Sequence, residues 1–166
     1  MKIFNEEQRF NQNWLIILIL IGTLIPLGIM AKEYTTNQSS FSTSDIIMFT
    51  SVILVSASII FIFKLDTRID DNGIHYKFFP SHWSFKVIRW NEIEKVYVRT
   101  YSAISEYGDW GLRGSSLLKS SKGKAINVSG DIGIQLELIN GKKLLIGTQK
   151  RTEAISVLET YKEKLK

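Results

Sequence analysis

The hydrophobic positions of this chain change their spacing twice. Over residues 14–31 and again over 46–63 they run on without a charged residue; from Leu65 they alternate with polar positions; after Gly147 they recur every third or fourth residue. Each uncharged run is eighteen residues long, which at a rise of ~1.5 Å per residue makes about 27 Å of helix, close to the apolar thickness of a bilayer. The pattern predicts two membrane-spanning helices, 14–31 and 46–63, with a segment 1–13 before them and a connecting loop 32–45 between them. Pro26 removes one backbone donor and predicts a modest kink. Ser51 and Ser58 stand on one helix face, where small residues allow close approach of the first helix or of another copy of the chain. Neither run carries an ionisable residue, so neither offers a proton relay or an ion path, and the default reading is an anchor. A cleaved signal peptide competes for the first run. That run exceeds the usual apolar region, however, and Ile29-Met30-Ala31 lacks the small residue expected at the start of a cleavage site.

The alternation that begins at Leu65 predicts half-buried strands. Leu65, Thr67 and Ile69 alternate with charges, Asp71, Asn72 and Gly73 form a turn with positive φ at the Asn-Gly pair, and Ile74, Tyr76 and Phe78 alternate again, which makes a hairpin. Strands follow over 85–88 and 93–101, the second with Val96, Val98 and Thr100 on one face and Tyr97, Arg99 and Tyr101 on the other. Strands over 125–128 and 132–139 join at residues 129–131, and Asn140-Gly141 links the latter to a strand over 142–146 as a two-residue hairpin. Ile134, Leu136 and Leu138 are expected to face the core opposite Leu144 and Ile146, with Gln135, Glu137 and Lys143 outward. Ala154, Ile155, Leu158, Tyr161 and Leu165 predict a closing helix, N-capped by Thr148 or Thr152. The fold class is α+β, mainly β: a two-helix transmembrane hairpin, then a bent antiparallel sheet or small barrel of six or seven strands over 64–166, closed by a C-terminal α-helix.

Composition narrows the chemistry. The chain has 166 residues and no Cys, which excludes a disulfide framework, a thiolate metal site and a Cys nucleophile; two His, His75 and His82, do not alone make a zinc site. No cofactor or metal is expected. Of the Lys and Arg residues, two lie before the first run (Lys2 and Arg9), one between the runs and eighteen after them, so both termini are expected in the cytoplasm of a multi-pass cell-membrane protein. The pI near 9.4 raises nucleic acid as a partner, but the positive charges are scattered and no recognition motif is present. Anionic lipid on the cytoplasmic face is the nearer explanation.

Residues 102–123 have no clear period and hold four of the eleven Gly. Within and beside this segment Tyr107 and Trp110 are interleaved with Arg113, Lys119, Lys122 and Lys124, a set suited to holding a phosphate or lying on lipid headgroups. The competing reading puts Tyr107 and Trp110 in the core or at a sheet edge, the glycines in tight turns and the lysines on a solvated face. The glycine spacing matches no phosphate-loop motif.

Two stretches carry a resemblance. Trp90-Asn91-Glu92-Ile93-Glu94-Lys95-Val96 is similar to the short acidic turn that bacterial pleckstrin-homology-like (PH-like) membrane proteins place between early strands, and the hairpin 136–146 leading into the last helix is similar to the close of those domains. Residues 106–113 with 124–130 resemble one uncharacterised subfamily. The resemblance implies two transmembrane helices followed by one PH-like domain. It implies no catalytic residues, because the group has none established to carry over. The expected function is a non-enzymatic, membrane-anchored interaction module that binds a protein partner or anionic lipid; an accessory subunit or assembly factor of a larger membrane complex is the alternative. An enzyme is not expected, since no local motif brings a nucleophile, a base and an orienting group together.

Overall fold

The computed structural model describes residues 2–36, 42–107, 111–113 and 123–165. Both uncharged runs are helical. Helix α1 spans Asn13–Thr36 and runs through Pro26. Helix α2 spans Thr43–Ile59 and continues as a 3-10 turn over Ile60–Ile62. Its start is a capping box: the Ser42 hydroxyl accepts from the Ser44 N–H, and Asp45 accepts from the Ser42 N–H at 3.0 Å. Both helices are long and apolar enough to cross a membrane, and neither buries a residue.

By its internal contacts the chain divides into two units, Phe10–Ile62 and a unit made of Met1–Arg9 with Phe63–Lys166. The second unit begins with a strand in the segment where the hydrophobic pattern predicts no element. Strand β1, Phe4–Arg9, alternates buried and exposed positions. Only Phe4 among its inward residues is apolar; Glu6 and Gln8 are buried polar groups, so the alternation is invisible to hydropathy. The Glu6 carboxylate accepts from the Thr148 hydroxyl at 2.6 Å and the Gln149 N–H at 2.7 Å, and Gln8 Nε2 donates to the Gly147 carbonyl at 2.8 Å. Such partners offset the cost of removing these atoms from water, whereas Gln8 Oε1 is buried with no hydrogen-bond partner among the described residues.

β1 pairs antiparallel with β2, Lys64–Asp70, in a register from Phe4↔Ile69 to Arg9↔Lys64. The strand before α1 is therefore zipped to the strand after α2. The sheet continues with β3, Gly73–Phe79, and β4, Lys86–Arg89, in the order β1-β2-β3-β4. Gly73 sits at φ +146°, where a Cβ would lie 2.1 Å from the Ile88 carbonyl oxygen, so the hairpin and the third pairing both need a glycine there.

A 3-10 turn, Trp90–Glu92, carries the chain to a second sheet. Trp90 is buried, donates its indole N–H to the Asp70 carbonyl at 3.0 Å and stacks on Tyr161 at 5.1 Å. The second sheet contains β5 (Ile93–Thr100), β6 (Gly111–Arg113), β7 (Lys124–Asn127), β8 (Ile132–Leu138) and β9 (Lys143–Gly147), in the order β5-β8-β9-β7-β6. Two sheets thus replace the expected single bent sheet or barrel: among the described residues β4 and β5 do not pair, and no barrel closes. β7 pairs with β9 in parallel, so residues 129–131 form a crossover link and not the turn of a hairpin.

The β8–β9 turn also differs from expectation. Leu138 N–H donates to the Lys142 carbonyl and Gly141 N–H to the Leu138 carbonyl, which leaves a three-residue loop, 139–141, with Gly141 at φ +77°. Helix α4, Arg151–Thr160, starts after Thr148 and leaves Thr152 inside it; Thr148 instead accepts from the Lys150 N–H at 3.1 Å while donating to Glu6. Its buried stripe is Ala154, Val157, Leu158 and, just beyond the helix, Tyr161, with Ile155 exposed. The helix packs on β1, β5 and β8 and so covers both sheets. Tyr161 donates its hydroxyl to the Lys2 carbonyl at 2.6 Å, which ties the end of the chain to its beginning.

Candidate functional site

The five-stranded sheet buries side chains on both faces. Direct partners Val96↔Leu136, Val98↔Ile134 and Ile134↔Ile146 share one face. Tyr97↔Gln135, Arg99↔Gly133 and Ala125↔Leu145 share the other. This second face, expected to look outward, is covered by a short helix, α3, Ala103–Tyr107. Tyr101, Ala103, Tyr107, Ala125 and Leu145 form a small core beneath it. Gly133 makes room for it: a Cβ there would lie 2.8 Å from Leu145 Cδ2 and 3.1 Å from Tyr101 Cε1.

A polar cluster is set around this core. Arg99 grips Glu106 with both amino groups, Nη1 to Oε1 at 3.2 Å and Nη2 to Oε2 at 2.9 Å. Nη2 also donates to the Tyr107 hydroxyl at 3.2 Å, Nε to Gln135 Oε1 at 3.1 Å, and Nη1 reaches the Thr100 carbonyl at 3.5 Å. These contacts occupy the guanidinium's five donors. Bonding to Glu106 raises the Arg99 pKa further, and burial raises those of Tyr107 and Tyr101. Beside them Asn127, fully buried, donates to the Tyr101 hydroxyl at 2.8 Å and accepts from the Gly111 N–H at 2.9 Å. Its amide pins the first residue of β6 to the end of β5.

The residues singled out from the sequence are distributed around this cluster. Tyr107 ends α3 with its ring edge-on to Tyr101, at 6.1 Å and 73°. Arg113 closes β6 opposite Ala125. Lys124 opens β7 and is exposed. Trp110, Lys119 and Lys122 lie outside the described residues. Arg99, Gln135 and Asn127 are the members that hydropathy places wrongly or passes over. The signals for them are two glycines inside strands, Gly133 and Gly147, and an Asn within an apolar strand, each of which marks a close approach or a buried polar contact.

Chemically the cluster holds a sheet face shut. Its guanidinium is bonded to a carboxylate, a phenol and an amide, and a second amide is bonded to the other phenol. Among the described residues no three His, Asp or Glu side chains converge as metal ligands. No protein-family model matches the chain, and no curated protein sequence matches it.

Proposed function

We propose that this protein is an integral-membrane, non-enzymatic interaction module: α1 and α2 cross the cell membrane as a hairpin, and the two-sheet domain stands on the cytoplasmic side with both termini, presenting its surface to a protein partner or to anionic lipid. The observation that carries the reading is the Arg9↔Lys64 end of the β1–β2 ladder. Two unburied apolar helices leave and re-enter the domain at that one point, so an even number of crossings accommodates them and a single crossing does not. The balance of Lys and Arg, heavy in the domain and light between the helices, supports the cytoplasmic side. The order of two helices, β-sheets and a C-terminal helix agrees with kinship to the PH-like membrane proteins.

The chain has no Cys, so single cysteines report topology cleanly. A membrane-impermeant maleimide should label Thr36→Cys in intact cells and reach Asn5→Cys and Asn72→Cys only after lysis; labelling of Asn72→Cys in intact cells refutes the orientation. In-cell crosslinking with mass spectrometry then identifies the neighbour. The second reading, an accessory subunit, draws on Ser51 and Ser58. Their hydroxyls bond the Ile47 and Leu54 carbonyls at 2.7 Å, which leaves that face small and self-satisfied, suited to close packing on a foreign helix. Purification as a lone monomer or homodimer argues against it.

A further inference from the structure

Trp83 is 83% exposed, the highest of the described large hydrophobic side chains. It sits in the connection between β3 and β4, where the His82 N–H donates to the Phe78 carbonyl at 2.8 Å and turns the chain back directly after β3. The Trp83 ring meets Phe79 edge-on at 5.3 Å. Phe85 is 45% exposed and has the Lys77 ammonium 5.0 Å from its ring centre. Core packing explains neither ring.

Strand register places this loop. Phe79 pairs with Lys64, and Lys64 pairs with Arg9. The loop therefore lies at the ladder end where the chain departs into α1 and arrives from α2. The Asp70↔Gly73 turn marks the opposite end, about 20 Å away at ~3.4 Å per residue. The charge at the loop is cationic: Lys86 and Lys124 are exposed, form no ion pair among the described residues, and both act on His82. Lys64 and Lys77 share Asp66. Exposed Trp and Phe beside lysines, at the ladder end from which the chain leads into apolar helices, match a headgroup layer, where amphipathic rings and cations both gain.

We propose that the β3–β4 loop seats Trp83 and Phe85 in the headgroup layer of the bilayer that holds the helices, with Lys86 and Lys124 on its anionic surface, so that the domain rests on the membrane through this edge. The proposal rests on the reading of α1 and α2 as spans, and its test separates the two. Full-length protein carrying one spin label is reconstituted in phosphatidylcholine vesicles containing phosphatidylglycerol, and collisions with oxygen and with a water-soluble nickel chelate are compared. A label at Ser84→Cys should show a several-fold higher oxygen-to-nickel ratio than one at Asn72→Cys at the far end of the ladder. Trp83→Glu with Phe85→Glu should return the Ser84→Cys label to water while a label at Leu20→Cys in α1 stays immersed. If the Ser84→Cys label is as aqueous as Asn72→Cys while Leu20→Cys is immersed, the loop proposal falls and the spans stand; if Leu20→Cys is aqueous, both fall. A Ser84→Cys label that stays immersed in the double variant overturns the assignment to these two rings.

Discussion

Replacing Phe4 by Ala tests whether residues ahead of the first helix hold together a domain that follows the second. Phe4 is fully buried, opposite Ile69 in the ladder, with the Lys150 ammonium 5.9 Å from its ring centre. Truncating a buried Phe costs about 3–5 kcal/mol, a large part of the ~5–15 kcal/mol that a domain typically has. At about 1.4 kcal/mol per factor of ten, hydrogen exchange through global opening should accelerate by roughly two to three and a half powers of ten. The assay is exchange with mass spectrometry on the full-length protein in neutral detergent, following peptides of β2 and β3. Ile3→Ala, at a position half exposed, is the control and should change stability by less than about 0.5 kcal/mol. Wild-type protection of β2 and β3 in Phe4→Ala refutes the idea that β1 is an integral strand of the domain.

Two further outcomes follow from the geometry. Arg99→Leu strips Glu106, Tyr107 and Gln135 of their common donor, so it should cost ~1–3 kcal/mol and speed proteolysis around residues 103–107, and Arg99→Lys should restore only part because an ammonium cannot reproduce the fork; unchanged urea midpoint and cleavage contradict the role given to Arg99. The pKa of His82 is held below its usual 6.5 by burial first and then by Lys86 and Lys124. The unfolded chain therefore takes up the proton first as pH falls: the His82 contribution is complete above pH 6.5 and declines below it, until the folded pKa is passed. In neutral detergent, lowering the pH from ~7.5 towards ~5.5, about 1 unit either side of the ordinary histidine value, should lower stability, and His82→Gln should flatten that part of the slope; an unchanged slope refutes the assignment.

Much of the fold is legible as spacing. The two uncharged helices, strands β2 to β5 and β7 to β9 and the closing helix follow from near-neighbour geometry, because burial on one side of a strand or helix prints a period of two or about 3.6 directly on the chain. What that period cannot carry is a buried position filled by a polar residue. Glu6, Gln8 and Gln135 look like solvated residues until Thr148, Gly147 and Arg99 are placed against them, so β1 and the second covered face of the five-stranded sheet escape a hydropathy reading. Of the candidate contacts, Tyr107 is found in that small core and Lys124 on the surface. The exposure of Trp83 shows no local signal, because the connection it stands in has no hydrophobic period. The sequence by itself determined the two long helices and their fitness for lipid, strands β2 to β5 and β7 to β9, and the closing helix, but not β1, α3 or β6. Only the tertiary structure decided that β1 completes the sheet beyond two helices, that β7 runs parallel to β9 and that the sheet divides at Trp90, because each depends on partners far apart along the chain, whose pairing leaves no mark on local spacing.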